Sequence, residues 1–121
     1  MSVEISYRFG FDAAHHFDHF PEGHPNRGMH GHSFHVEVAL EGEPDPATGF
    51  VADLGDLEAV CAEVRKALDH KVLNDVPGLA KPSLENLSVW IWKRLEPRYA
   101  TLARVTILRD SAGQSCTYRG T

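Results

Sequence analysis

The stretch "HGHSFHVEVAL", residues 30–40, carries two patterns at once. Phe34, Val36, Val38 and Leu40 alternate with His35 and Glu37, which is the period of a half-buried β-strand. Just before them stand His30 and His32, two residues apart around Gly31. If the segment is already extended as it enters the strand, both imidazoles project from one face and can share one ion.

The same alternation occurs upstream, where Ile5, Tyr7, Phe9 and Phe11 interleave with Ser6, Arg8 and Gly10, predicting a first strand over residues 4–11. Between the two strands runs a long loop rich in Pro, Gly and His, and long loops in compact domains tend to carry function. After the turn-rich "EGEPDPATG", Leu54, Leu57, Val60, Cys61, Val64 and Leu68 fall at helical spacing, with Asp53 as N-cap. "NDVPGLAKP" breaks the chain again, and Ser83 caps a second helix containing Leu84, Leu87, Trp90, Ile91 and Leu95, stopped by Pro97. Two short strands close the chain, around 104–109 and 114–119, joined by "DSAG". The order ββααββ predicts an α+β fold with a four-stranded antiparallel sheet and both helices on one face. Val3, Ile5 and the aromatic run make that sheet rather apolar for a monomer, so a homo-oligomer with sheets joined edge to edge is expected.

A length of 121 residues fits one domain, residues 1–121, and a composition 42% apolar and 24% charged is that of a globular protein. The formal charge is −5 and basic residues are scattered singly, which argues against nucleic acid or an anionic membrane as partner. No stretch approaches the roughly 20 apolar residues of a membrane span, and the N-terminus lacks a signal-peptide pattern, so a cytoplasmic protein is expected. Cys61 and Cys116 form no C-x-x-C pair, which leaves the histidines to carry any metal.

A catalytic metal site needs three protein ligands and an open position. His30 and His32 supply two, and His15 or His16, at the end of the first strand, is the natural third. His19, His24 and His35 read as surface or hydrogen-bonded loop histidines.

Six segments, "FDAAHHF", "EGHPNRGMHGHSFHVEV", "DPATGFVADLGDLE", "LDHKVLNDVPG", "PSLENLSVWIW" and "CTYRG", resemble in order the 6-pyruvoyl tetrahydropterin synthase and 6-carboxytetrahydropterin synthase family, the queuosine-pathway type most closely. The resemblance implies the tunnelling fold, in which ββααββ units join into a barrel, usually as a hexamer built from two trimers. It implies zinc held by His15, His30 and His32 and gripping the side-chain hydroxyls of a pterin, with Asp69 and His70 as a proton relay. Asp110 falls where the family has a carboxylate, typically Glu, that anchors the pterin's amino and ring N–H edge; with Asp69 and His70 it completes the implied catalytic set. Glu85 matches the Glu of the family's P-T-x-E-N stretch and is a second substrate-binding candidate.

One departure stands out. Family members usually carry a Cys four residues before the first His of H-G-H, whose thiolate takes a proton from the substrate; here that position is Asn26. An amide cannot serve as general base. The expected function is therefore a zinc-dependent lyase acting on 7,8-dihydroneopterin triphosphate or a related pterin, with weak or altered synthase activity and with His70, Glu22 or His24 replacing the thiol. A paralogue that cleaves or isomerises a different pterin side chain, and a pterin- or purine-binding zinc protein without turnover, are the alternatives.

Overall fold

The computed structural model describes residues 1–121. Two long strands, β1 (Val3–His15) and β2 (His30–Gly42), are followed by the helices α1 (Leu54–Leu68) and α2 (Leu84–Leu95) and by the shorter strands β3 (Leu102–Arg109) and β4 (Gln114–Tyr118). The strands form one antiparallel sheet in the order β1-β2-β3-β4. This is the predicted ββααββ order, with the main difference in extent at β1. β1 runs to His15 rather than stopping near residue 11, so the connecting loop is shorter, residues 16–29. The apolar signal fades at Asp12, Ala13 and Ala14, but the ladder to β2 continues through Asp12↔Ser33, Ala13↔His32, Ala14↔Gly31 and His15↔His30.

Phe9, Phe11, Phe34, Val36, Val38 and Leu40 point to one side, where Leu57, Cys61, Val64 and Leu68 of α1 and Leu87, Ile91 and Leu95 of α2 close over them. α1 packs on β1, and α2 on β3 and β4. Both predicted caps are made: the Asp53 carboxylate accepts the Gly55 N–H at 2.8 Å, and Ser83 Oγ accepts that of Asn86 at 3.1 Å. Past α2, Tyr99 donates to Asp56 in the first turn of α1 (2.6 Å), tying the two helices together.

The opposite sheet face is charged. Arg104 reaches Glu4 and Glu37, both at 2.6 Å, and Arg8 reaches Glu37 at 3.0 Å. Thr106 and Thr117 pair across β3 and β4 at 2.9 Å. The expectation of a sheet too apolar for a monomer is thus corrected in its premise. Ile5, Tyr7 and the aromatic residues after them lie against the helix-covered core, because the period of two sends every odd position of β1 that way.

Hydrogen bonds from Arg104 and then Arg8 hold the Glu37 carboxyl below the usual carboxylate range. Folding lowers this pKa, so the pairing stabilises the fold above the ordinary carboxylate pKa and fades as pH falls through the folded value. Glu37→Gln is expected to lower stability at neutral pH by up to about 1 kcal/mol and to flatten its acid dependence, as read in urea titrations at neutral and acid pH. Ile91, fully buried, gives the packing counterpart. Ile91→Ala should cost about 2–5 kcal/mol in the same titration.

Candidate metal centre and the residues around it

The register that pairs His15 with His30 and Ala13 with His32 sets three imidazoles side by side at the open end of the β1–β2 hairpin. They share the face of Phe11 and Phe34. Their ring centroids lie 4.5 Å (His15–His30), 5.0 Å (His15–His32) and 5.0 Å (His30–His32) apart. One nitrogen from each falls within 4.8 Å of the other two. Of the two candidates for the third ligand, His15 joins the cluster while His16 turns to Asp18, 2.8 Å away.

Backbone carbonyls orient two of the rings. His15 Nδ1 lies 3.2 Å from the Pro82 carbonyl and His30 Nδ1 lies 2.8 Å from that of Gly28. A carbonyl only accepts, so each Nδ1 carries the hydrogen and each Nε2 keeps its lone pair. Both of those Nε2 atoms are buried and have no hydrogen-bond partner in the protein. Burial, with the neighbouring imidazoles and Arg109 adding to it, pushes the His15 pKa down to about 4 despite the Pro82 bond, so the ring is neutral at pH 7. His32 is lowered as well, chiefly by burial and then by Arg109. Three converging imidazoles, two with Nε2 atoms that nothing in the chain satisfies, fit a divalent transition metal and leave a coordination position free.

Arg109 was not anticipated from the sequence. On β3 it continues the inward-facing series Val105, Ile107, which brings Nη1 to 3.3 Å from His32 Nε2, while Nη2 donates to the Gln114 side chain. Strand parity was the signal available for finding it. Its neighbour Asp110 turns the other way and pairs with His35 Nδ1 at 3.0 Å. His35 is therefore a β2 residue, not a loop one, and its ring lies over Gly10, where a Cβ would come within 3.2 Å of it. Gly113, at φ +66, lets the chain turn back from Asp110 into β4.

Asp69 and His70 form the expected pair, with His70 Nδ1 2.9 Å from Asp69 Oδ2. They are fastened to the free edge of β1. The Asp12 N–H donates to Asp69 Oδ1 at 3.0 Å, and the His70 N–H donates to the Asp12 carbonyl at 2.7 Å. The Asp12 bond, then His70 and Arg65, hold the Asp69 carboxyl below its usual range. His70 adopts φ +59, a left-handed conformation that is strained for a residue with a Cβ and concentrates at functional sites. No hydrogen bond or ion pair joins this pair to the imidazole cluster. The two approach across an open cleft of about 520 Å³ that His32 and His70 both line.

The loop of residues 16–29 is held by its own contacts. Arg27 donates to the carbonyls of Asp18 and Phe20, and the Phe20 ring stacks on His24 at 4.0 Å. The Asn26 backbone carbonyl accepts the Phe17 N–H at 3.0 Å, and the Phe17 ring sits 4.7 Å from that of His15, so residue 26 is tied next to the cluster. His24 Nδ1 accepts the Asn26 N–H at 3.1 Å, so the neutral ring carries its hydrogen on Nε2. Glu22 is exposed. Glu85 is exposed in the first turn of α2, three residues beyond the Pro82 carbonyl that orients His15. Cys61 is buried in the core, with its thiol pushed up to about 12 by burial, and Cys116 lies 3.8 Å from Ser88 Oγ; neither replaces the missing thiol at the cluster.

Known proteins share this chain's fold and sequence over most of its length. A family model described as 6-pyruvoyl tetrahydropterin synthase matches residues 4–121. The chain is 38% identical over 97 residues to the dihydroneopterin monophosphate aldolase of Pyrococcus furiosus, covering 78% of this chain and 76% of that one. It is 39% identical over 97 residues to the 6-carboxy-5,6,7,8-tetrahydropterin synthase of Synechocystis, covering 76% and 74%. The solved structure of the Caenorhabditis elegans 6-pyruvoyl tetrahydropterin synthase superposes with a TM-score of 0.87 at 26% identity, covering 100% of this chain and 97% of that one. On fold, matched length and sequence alike, the chain belongs to the 6-pyruvoyl tetrahydropterin synthase family.

Proposed function

We propose that this protein is a zinc-dependent lyase acting on the side chain of 7,8-dihydroneopterin triphosphate or a related pterin, with weak or altered 6-carboxytetrahydropterin synthase activity. The observation that carries the reading is the convergence of His15, His30 and His32, with two buried Nε2 atoms that nothing in the chain satisfies. Zinc held there supplies Lewis acidity toward side-chain hydroxyls of a bound pterin. The Pro82 and Gly28 carbonyls keep His15 and His30 in the tautomer a metal requires.

Proton transfer falls to His70. Asp69 holds the His70 Nδ1–H, which leaves Nε2 as the accepting atom, and the tether to Asp12 fixes where the ring stands. His24 is the weaker candidate, because its Nδ1 is already occupied by the Asn26 N–H. Glu22 has no contact that orients it toward the cluster. Glu85 and, by resemblance, Asp110 are assigned to the pterin's N–H edge, although Asp110 pairs with His35 on the side of β3 away from the cluster. With an amide at position 26, proton abstraction rests on the imidazole alone. Similarity to an enzyme named dihydroneopterin monophosphate aldolase supports a phosphorylated dihydropterin as substrate and carbon–carbon cleavage as one outcome. The active assembly is assigned, by resemblance to the family, as a cytoplasmic hexamer of two trimers. The queuosine pathway is the metabolic setting this reading favours.

A second reading, a pterin- or purine-binding zinc protein without turnover, draws on Asn26 and on the lack of direct contact between His70 and the three imidazoles. Incubating the zinc-loaded protein with dihydroneopterin triphosphate, its monophosphate and dihydroneopterin, with products identified by mass, separates the two. Pterin binding without any product would leave the binder. Metal analysis should find about one zinc per chain, lost in His30→Ala and His32→Ala; zinc retained in both variants would sink the site. His70→Ala should cut turnover by about 10² to 10⁴ while zinc content holds. Asn26→Cys should gain 6-carboxytetrahydropterin formation, and no gain would show that the thiol is not the missing part.

A further inference from the structure

Arg109 is a guanidinium without a counter-ion. Its acceptors are the Gln114 side chain and, 3.3 Å from Nη1, His32 Nε2, and its Nε is buried with no partner. The sheet's other arginines, on the opposite face, are satisfied differently: Arg104 grips Glu4 and Glu37, and Arg8 shares Glu37. No carboxylate lies within ion-pairing distance of Arg109, since Asp110 faces His35 instead. A permanently charged group whose five donors meet only uncharged acceptors is costly to remove from water unless an opposite charge joins it.

The placement suggests when that charge arrives. A cation beside three metal-binding imidazoles repels a metal ion, so it is poorly explained as support for the metal alone. It is well explained if the site's ligand is an anion, because a guanidinium recognises phosphate through paired, charge-assisted hydrogen bonds. In phosphorylated dihydroneopterins the phosphate ester sits on the carbon next to the side-chain diol. A diol held at the imidazoles therefore brings its phosphate to the neighbourhood of His32, where Arg109 stands.

We propose that Arg109 binds the phosphate of a phosphorylated pterin side chain seated at the His15–His30–His32 cluster and so selects phosphorylated over unphosphorylated substrates. This rests on the reading of the cluster as a pterin site. Neither the Asp69–His70 pair nor the residues assigned to the pterin ring supplies a positive charge there, which leaves Arg109 as the specificity-determining residue.

The test is equilibrium binding to the zinc-loaded protein of dihydroneopterin triphosphate, dihydroneopterin monophosphate, dihydroneopterin and inorganic tripolyphosphate. Zinc content and urea midpoint are checked for each variant. Arg109→Gln is expected to weaken both phosphorylated pterins by about tenfold to hundredfold and dihydroneopterin by less than about twofold, with Arg109→Lys between wild type and Arg109→Gln. Should the glutamine variant unfold, the lysine variant still reports the selective loss. Equal weakening of all pterins, or none, overturns the proposal and leaves the pterin reading intact. Arg109-dependent binding of tripolyphosphate without binding of any pterin keeps the anion site and overturns the pterin reading. Failure to bind any of the four ligands overturns both.

Discussion

The antiparallel register between β1 and β2 is the constraint on which everything else hangs. It runs without a break from Val3↔Gly42 to His15↔His30, and because side chains alternate, it decides two things with one choice. It sends Phe9, Phe11, Phe34 and Val36 under the helices, and it sends His15, His30 and His32 to the same side at the hairpin's end. A slip of one residue would expose the aromatic core and scatter the imidazoles together. The hydrophobic core thus fixes the metal site's geometry, since the pairing that buries about half a dozen large apolar side chains cannot shift without losing that burial.

The fold was largely legible because its signals are local. Alternation marked the strands, helical spacing and the caps at Asp53 and Ser83 marked the helices, and both caps are made by the expected side chains. What escaped was the last third of β1, where alanines carry no periodic signal and the ladder itself holds the strand. The direction of the sheet's apolar residues was also misjudged, since alternation reveals that two faces differ but not which side the helices will cover.

The site was legible in part. His30 and His32 were readable from their spacing, but the choice between His15 and His16 needed either the resemblance or the register. Arg109 went unnoticed because a lone arginine at a strand end has no motif; its meaning comes from a neighbour 77 residues earlier in the chain, His32. The carbonyls of Pro82 and Gly28 were equally invisible, being backbone atoms whose role depends on where the chain happens to pass. The separation of the Asp69–His70 pair from the cluster could not be read from sequence order, because it depends on which edge of the sheet the segment after α1 runs along.

That segment is fastened to β1 by peptide groups. The Asp12 N–H and C=O hold Asp69 and His70, and the Ala14 N–H donates to the Lys71 carbonyl, as in a short added strand. The side chain of residue 12 takes no part; it is engaged by Ser33 on the sheet face. The placement of the dyad is therefore indifferent to what residue 12 is, provided it keeps its amide hydrogen. The imidazole of His70 thus stays anchored at the same point on the edge whatever side chain stands at 12, proline excepted.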